Sequence, residues 1–189
     1  MKDCLKRIYL KYIVKYTRPQ KYWDTRWKLG LKAEGRGTLQ SKNMRLQEIT
    51  NVMEKHGCSN ILEVGCGKAK FRELPGYLGL DFSIEALRKS GLKQFIYADI
   101  TEKIPLPDKS IDAVLSHYVV LHIPFDKIEN AVKEISRVAK KCVILYEPWS
   151  LYEPWSLKPK HSQPHCFSHN LLGLFKKHFD GTIILLNGR

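Results

Sequence analysis

Short apolar runs alternate with segments of helical periodicity from residue 60 onwards, and this alternation constrains the fold more than any other feature. Five runs are typical of buried strands: Asn60–Val64, Tyr77–Leu80, Phe95–Tyr97, Asp112–Ser116 and Cys142–Tyr146. Three intervening segments predict helices: a short one between a glycine turn and Pro75-Gly76, one over Ser83–Ser90, and one over Asp126–Ala139 with Asp126 as its N-cap. Strands joined by helices lie parallel, because each connection must cross back over the sheet. The sequence therefore predicts an α/β fold with a doubly wound, mostly parallel sheet.

The segments on either side of this alternating region complete one globular unit. Their periodicity predicts three further helices and one further strand: helices at residues 5–16, 41–56 and 170–178, and a strand at residues 182–186. A second copy of the hexapeptide LYEPWS lengthens the loop after the fifth strand. We divide the chain into an N-terminal helical or lid segment, residues 1–57, and a sheet domain, residues 58–189.

The chain is basic, with 32 Lys and Arg against 19 Asp and Glu and a formal net charge of +13. Nine of the basic residues and two acidic ones fall in residues 1–28. Such an excess favours an anionic partner, either nucleic acid or an acidic surface, with a solvated basic helix face as the alternative. No apolar stretch approaches the roughly 18 residues of a membrane span, and the N-terminus lacks a secretory signal. We therefore expect a cytoplasmic protein without a membrane span.

The turn after the first strand has the sequence GCG at residues 65–67 and indicates where a ligand binds. Glycines let the backbone bend tightly at the carboxyl end of a parallel strand, where open α/β sheets hold their ligands. The third glycine of a dinucleotide-binding GxGxxG motif is absent, because Lys70 occupies its position. Asp81 and Asp99 end the second and third strands, where carboxylates can accept hydrogen bonds from a ribose and from an adenine amino group. This pattern favours an adenosyl ligand without phosphates.

The segments ILEVGCGKAKF, GLDFS and YADITEKIPLPDKSIDAVLSHYVVLHI, within about residues 58–148, resemble the class I S-adenosylmethionine-dependent methyltransferases, specifically the methyltransferase type 11 group. The resemblance implies a Rossmann-like fold and S-adenosylmethionine as the cofactor. In such a site the glycine turn and the acid before it hold the methionine end, the second strand holds the ribose and the third the adenine. The cofactor-binding residues that the resemblance implies are Trp27, Glu63, Gly65, Cys66, Gly67, Asp81, Phe82, Asp99, Ile100 and His117.

An upstream block, YWDTRWKLG at residues 22–30, resembles the entrance segment of thiopurine-type methyltransferases, whose aromatic residues fold over the cofactor. We therefore expect Trp27 to stack on the cofactor region, with packing against the core as the alternative. The chain departs from the family pattern at Ala69, where a third glycine is usual. It also supplies one strand after the fifth, where the family has an antiparallel pair. The C-terminal strand set is thus predicted to be shortened, and the exposed sheet edge allows a homodimer.

The resemblance implies a methyltransferase, and we expect its acceptor to be a small molecule with a hydroxyl or similar group. His117 is the first candidate for the catalytic residue that accepts the acceptor's proton, and His122 is the second, with simple packing as the alternative for His122. Two other classes stay open: an RNA or protein methyltransferase guided by the basic N-terminal segment, and a module that binds the cofactor without catalysis. We predict no metal site, because Pro164 interrupts the histidine-rich residues 161–169 and the five cysteines form no CxxC pair.

Overall fold

The computed structural model describes residues 19–30, 39–147, 167 and 169–187. Its helices and strands are α1 (Pro19–Lys28), α2 (Leu39–Lys55), β1 (Ile61–Val64), β2 (Tyr77–Asp81), α3 (Ile84–Ser90), β3 (Phe95–Tyr97), β4 (Ile111–His117), α4 (Ile128–Val138), β5 (Ala139–Glu147), α5 (Leu171–His178) and β6 (Thr182–Asn187). A 3₁₀ turn at Val120–His122 lies between β4 and α4. The helix predicted over residues 5–16 and the second LYEPWS copy lie outside the described residues. In the described part of the chain, no helix is long and apolar enough to cross a membrane.

All six strands lie parallel in one sheet, in the order β3-β2-β1-β4-β5-β6, which confirms the predicted doubly wound architecture. Val64 of the central strand β1 lies opposite Leu80 of β2 and opposite Ser116 of β4. The winding reverses between β1 and β4, so the carboxyl ends of these strands flank the switch point where ligands bind in such sheets. Among the described residues, β6 pairs with β5 alone, as expected for a shortened C-terminal strand set. A homodimer through the outer edge of β6 stays a prediction.

Side chains alternate between the two faces of the sheet and build two hydrophobic layers. On one face Val64, Val114 and Leu145 pack in a cluster with α4 and α5. On the other face Ile61 and Leu115 pack in a cluster with α2. Because both faces are covered, polar groups of the sheet can meet a ligand mainly at the strand ends.

The segment between the glycine turn and β2 departs from the prediction. Residues 67–76 form successive turns and no helix. Ala69 is the reason, because its φ of 51° lies in the left-handed region, which a right-handed helix does not contain. The same φ explains why glycine is usual at this position in the methyltransferases that the chain resembles, since glycine adopts it without cost.

The start of α4 also departs from the prediction, because Asp126 is not its N-cap. The helix begins at Ile128, and the preceding Lys127 makes no side-chain capping bond. The Pro124 carbonyl instead accepts hydrogen bonds from the N–H groups of Lys127 and Ile128, each at 3.0 Å. A backbone turn therefore satisfies the first donors of the helix, and no carboxylate is needed there.

The guanidinium of Arg137 fastens the loop before β4 to α4. It donates hydrogen bonds to the carbonyls of Ile104 and Leu106, each at 2.8 Å. It also forms ion pairs with Asp108 at 2.7 Å and with Glu134 at 2.8 Å. These charge-assisted contacts fix the IPLPD segment, which forms a wall of the cavity described below.

Candidate active site

The turn after β1 is shaped by two glycines. Gly65 and Gly67 have φ angles of 63° and 53°, in the left-handed region. A Cβ atom on Gly65 would lie 2.5 Å from Cγ2 of Val119, and one on Gly67 would lie 3.1 Å from Cζ2 of Trp27. The turn therefore needs glycine both for its backbone conformation and for the close approach of two neighbouring segments.

Asp81, at the end of β2, joins the glycine turn to the start of α3. Its Oδ2 accepts a hydrogen bond from the Gly67 N–H at 2.9 Å, and its Oδ1 accepts one from the Ser83 N–H at 2.8 Å. Burial raises the pKa of Asp81 to about 6, although these backbone donors act in the opposite direction. Each carboxylate oxygen carries two lone pairs, so Asp81 retains capacity to accept from a pair of hydroxyls. Phe82 follows directly and is half-buried.

Asp99 lies farther along the sheet edge, just after β3. Its Oδ1 accepts hydrogen bonds from the N–H and the hydroxyl of Thr101, at 2.9 and 2.8 Å. The half-buried Asp99 lines an open cavity of about 650 Å³, whose other walls come from residues 97–98 and 103–107. Ile100, the next residue, is buried. A carboxylate beside a largely apolar cavity suits a flat ring that carries an amino group.

Glu63 and Cys66 are buried next to the glycine turn. The Tyr77 hydroxyl donates a hydrogen bond to Oε2 of Glu63, and burial raises the pKa of Glu63 to about 8. Burial also raises the pKa of the Cys66 thiol, and the nearby carboxylates of Glu63 and Asp81 raise it further. The thiol therefore stays protonated at neutral pH, which argues against nucleophilic chemistry at Cys66.

His117 ends β4 and contacts aromatic residues of the sheet face that α2 covers. Its ring packs edge-on against Phe71, with centroids 4.9 Å apart, and against Tyr118 at 5.0 Å. Its Nε2 is buried and has no hydrogen-bond partner among the described residues. Burial lowers the pKa of His117 to about 3, and the positive charges of Arg45 and Lys70 act in the same direction. The imidazole is therefore neutral at pH 7.

Glu147, at the end of β5, is a buried acid that the sequence patterns did not single out. Its Oε1 accepts hydrogen bonds from the Ser116 hydroxyl at 2.7 Å and from the N–H groups of Val119 and Val120 at 2.7 and 3.2 Å. Burial raises the pKa of Glu147 to about 7, against the effect of these donors. The carboxylate fixes the connection that packs on the glycine turn. The signal that could have found it is the one that identified Asp81, an acidic residue at the carboxyl end of a strand.

Helix α1 lies across the carboxyl ends of several strands. Near its start, Gln20 donates a hydrogen bond to the Tyr97 hydroxyl of β3. In its middle, Asp24 accepts one from the Ser83 hydroxyl at 2.5 Å. Towards its end, the Trp27 ring lies over the glycine turn. The lid role of residues 1–57 stays a prediction.

Two further histidines lie near this region. The His122 ring is half-buried, with its centroid 5.2 Å from that of Trp23 in α1. His169 is buried, and its Nε2 is hydrogen-bonded to the Ile123 carbonyl at 2.9 Å. The rest of the histidine-rich segment, except Phe167, lies outside the described residues. Within the residues that are described, no group of three or more His, Cys, Asp or Glu is placed to hold a metal ion.

Residues 62–146 match the family model described as a methyltransferase domain. The match identifies these residues, a little under half of the chain, as a methyltransferase domain, and their fold is that of class I S-adenosylmethionine-dependent methyltransferases. The family implies S-adenosylmethionine as the cofactor. The site fits it, because a buried carboxylate with acceptor capacity stands at the end of β2, beside a turn whose two glycines allow a close approach of the backbone. No curated protein matches the chain.

Several solved structures share the fold of this chain. The cyclase SpnF matches with a TM-score of 0.61 and 20% identity, over 78% of this chain and 61% of its own. Magnesium protoporphyrin IX methyltransferase (ChlM) from Synechocystis PCC 6803, with bound SAH, matches with a TM-score of 0.60 and 14% identity, over 86% of this chain and 88% of its own. DesVI from Streptomyces venezuelae matches with a TM-score of 0.50 and 17% identity, over 60% of this chain and 55% of its own. At these identities the likeness shows the fold alone, and the chain spans less than two thirds of SpnF and DesVI.

Proposed function

We propose that the chain transfers a methyl group from S-adenosylmethionine to a small-molecule acceptor that carries a hydroxyl or similar group. The position of Asp81 carries this proposal, because its buried carboxylate joins the glycine turn to α3 at the carboxyl end of the sheet. A carboxylate placed there suits the two hydroxyls of a ribose. ChlM, which shares the fold, is named for a small-molecule acceptor, and this supports the same class here.

The cofactor assignment follows the strand ends in order. The methionine end would lie at the glycine turn beside β1, the ribose at the end of β2, and the adenine at the end of β3, with α1 above them. The residues proposed to hold these parts are Glu63, Gly65, Cys66 and Gly67 for the methionine end, Asp81 and Phe82 for the ribose, Asp99 and Ile100 for the adenine, and Trp27 as the cover.

The chain's own contribution to the reaction is to position the acceptor and keep out water. S-adenosylmethionine supplies an electrophilic methyl group, whose bond to sulfur breaks as a bond to the acceptor atom forms. His117, the proposed catalytic residue, offers a neutral Nε2 that can accept a hydrogen bond from the acceptor hydroxyl. An oxygen that has just gained a methyl carbon is strongly acidic, so the weakly basic imidazole is sufficient to take its proton.

Two alternatives use the same cofactor site. The net charge of +13 supports an RNA or protein methyltransferase. Two lysines also contact Trp27: Lys68, with Nζ 5.9 Å from the ring centroid, and Lys89, which donates to the backbone carbonyl. SpnF, named a cyclase, shows that the fold also serves a protein named for another reaction. A module that binds the cofactor without methyl transfer is therefore the second alternative.

Label transfer from S-adenosylmethionine carrying a radioactive methyl group distinguishes these functions. The full-length protein is incubated with separate small-molecule, RNA and protein fractions of a cell extract. We expect label in the small-molecule fraction, its loss in Asp81→Ala, and its retention in Asp180→Ala, a control carboxylate that is 85% exposed. Label in RNA or protein would support the first alternative, and cofactor binding without transfer to any fraction would support the second.

A further inference from the structure

Ser83, the residue before α3, lies between two carboxylates that come from different parts of the fold. Its N–H donates a hydrogen bond to Oδ1 of Asp81, at the end of β2, at 2.8 Å. Its hydroxyl donates one to Oδ1 of Asp24, in the middle of α1, at 2.5 Å. The serine is fully buried, so water does not compete for its hydroxyl. One residue therefore joins the proposed ribose carboxylate to a helix that lies 59 residues earlier in the chain.

The orientation of the Asp81 carboxylate depends on Ser83. The Gly67 N–H binds its Oδ2 at 2.9 Å, and the Ser83 N–H binds its Oδ1. A carboxylate that is held at both oxygens has a fixed orientation, so its remaining lone pairs also point in fixed directions. Ser83 is held in turn through its side chain, whose Oγ accepts from the Ala86 N–H at 3.3 Å and donates to Asp24. A shift of Ser83 would therefore turn the Asp81 carboxylate.

Helix α1 is fastened on both sides of Asp24. Towards the start of the helix, Gln20 donates a hydrogen bond to the Tyr97 hydroxyl of β3. Towards its end, the Trp27 carbonyl accepts one from Lys89 of α3. The half-buried Asp24 side chain lies between these attachments and is directed at the start of α3. The fold therefore sets the position of this carboxylate, which is not a free side chain on the surface.

Asp24 and Asp81 carry like charges on either side of Ser83. Burial raises the pKa of Asp81, and the negative charge of Asp24 acts in the same direction. Like charges so placed disfavour each other, and a neutral acceptor at position 24, such as asparagine, would avoid this cost. A carboxylate accepts a stronger hydrogen bond than a neutral oxygen does. The acid at position 24 is therefore better explained by how firmly it holds Ser83 than by the packing of α1.

We propose that Asp24 is a positioning residue, which acts through Ser83 to hold the Asp81 carboxylate in the orientation that accepts both ribose hydroxyls of the cofactor. Its role is indirect, because its Oδ1 is occupied by the Ser83 hydroxyl. Loss of the Asp24 carboxylate should therefore weaken the ribose contact selectively and leave the contacts of the adenine and of the methionine end in place. This inference rests on the proposed function, whose cofactor site it specifies.

A matched pair of ligands tests this role. The full-length protein is titrated calorimetrically with S-adenosylhomocysteine and with its 2′-deoxy analogue, which lacks one ribose hydroxyl. The parent should bind S-adenosylhomocysteine roughly tenfold more tightly than the analogue. Asp24→Ala should reduce this preference to about one, by weakening S-adenosylhomocysteine alone, and Asp24→Asn should keep part of it. Thr25→Ala is the control in the same helix, because its hydroxyl donates within α1, to the Lys21 carbonyl, and it should change neither affinity.

Ser83→Ala breaks the same hydrogen bond from its other side and should reduce the preference as Asp24→Ala does. The double variant should reduce it no further, because both changes remove one interaction. Circular dichroism shows that each variant is folded. A folded Asp24→Ala protein that keeps the parent's preference overturns the inference, and so does equal weakening of both ligands, which would show that α1 serves only as a cover. A parent that fails to bind S-adenosylhomocysteine, or that does not prefer it to the analogue, would instead contradict the proposed function.

Discussion

Replacing Gly65 by alanine probes the tightest contact of the site. Two costs follow from the structure. A φ of 63° costs a residue with a Cβ about 1–2 kcal/mol. The new Cβ would also lie 2.5 Å from Cγ2 of Val119, and the resulting overpacking costs about 1–3 kcal/mol. Val119 cannot easily retreat, because its N–H is bound to Glu147. Gly65→Ala should therefore lower the free energy of unfolding by about 2–5 kcal/mol.

Urea unfolding measures this loss, and Gly57→Ala provides the matched control. Gly57 has a φ of 60°, but no atom lies within 4 Å of the place that a Cβ would occupy. Gly57→Ala should therefore lower the free energy of unfolding only by the cost of the backbone conformation, about 1–2 kcal/mol. In the double variant Gly65→Ala, Val119→Ala, the loss in free energy of unfolding should be about 1–3 kcal/mol smaller than the sum of the losses in the two single variants. Equal losses at Gly65 and Gly57, or strict additivity in the double variant, would refute the contact argument.

Three further predictions concern buried or paired charges. The folded chain keeps protons on Glu63 and Glu147 up to a pKa of about 8 and about 7, whereas the unfolded chain releases them near 4.5. The free energy of unfolding should therefore fall as pH rises from about 4.5 and level off near pH 8. Glu63→Gln should flatten that decline in urea titrations, and an unchanged slope would contradict it. Arg137→Lys should lower the free energy of unfolding, measured by calorimetry, by about 1–3 kcal/mol, because lysine cannot hydrogen-bond to both loop carbonyls and both acids at once. Arg88→Lys, at an exposed ion pair, should be nearly neutral. His117→Ala should cut turnover by about 10²–10⁴ with unchanged cofactor affinity. Because the pKa of His117 is lowered to about 3, the parent's rate plotted against pH should show no change near pH 6.5 that is due to His117. A rise in rate near pH 6.5 that disappears in His117→Ala would instead show that His117 acts as an ordinary histidine base.

The parts of the site that follow from strand order could be predicted from the sequence. Asp81 and Asp99 stand directly after apolar runs, and the carboxyl ends of parallel strands share one edge of the sheet. The glycine turn and the buried helix faces likewise follow from local composition and periodicity. These features depend on neighbours in the chain, and a single sequence contains that information.

The parts that depend on distant contacts could not be predicted. Arg137 binds carbonyls 31 and 33 residues away, and Glu147 caps a turn 27 and 28 residues away, so no local pattern marks either partner. The helix expected after the glycine turn fails because Ala69 adopts a left-handed φ, which alanine rarely does. Asp126 is not the cap because the helix begins two residues later, at Ile128, whose N–H donates to the Pro124 carbonyl. In each case tertiary geometry overrides a reasonable local preference.

The central claim is that Asp81 holds the ribose of an adenosyl cofactor, and calorimetric titration with S-adenosylhomocysteine tests it most directly. The parent protein should bind, and Asp180→Ala should bind equally well. Asp81→Ala should weaken binding roughly tenfold or more, because hydrogen bonds to a charged acceptor are worth about 1.5–3 kcal/mol each, and it should weaken binding more than Asp99→Ala does. Circular dichroism shows whether each variant is folded. An Asp81→Ala protein that is folded and binds S-adenosylhomocysteine with the parent's affinity would contradict the assignment of this site.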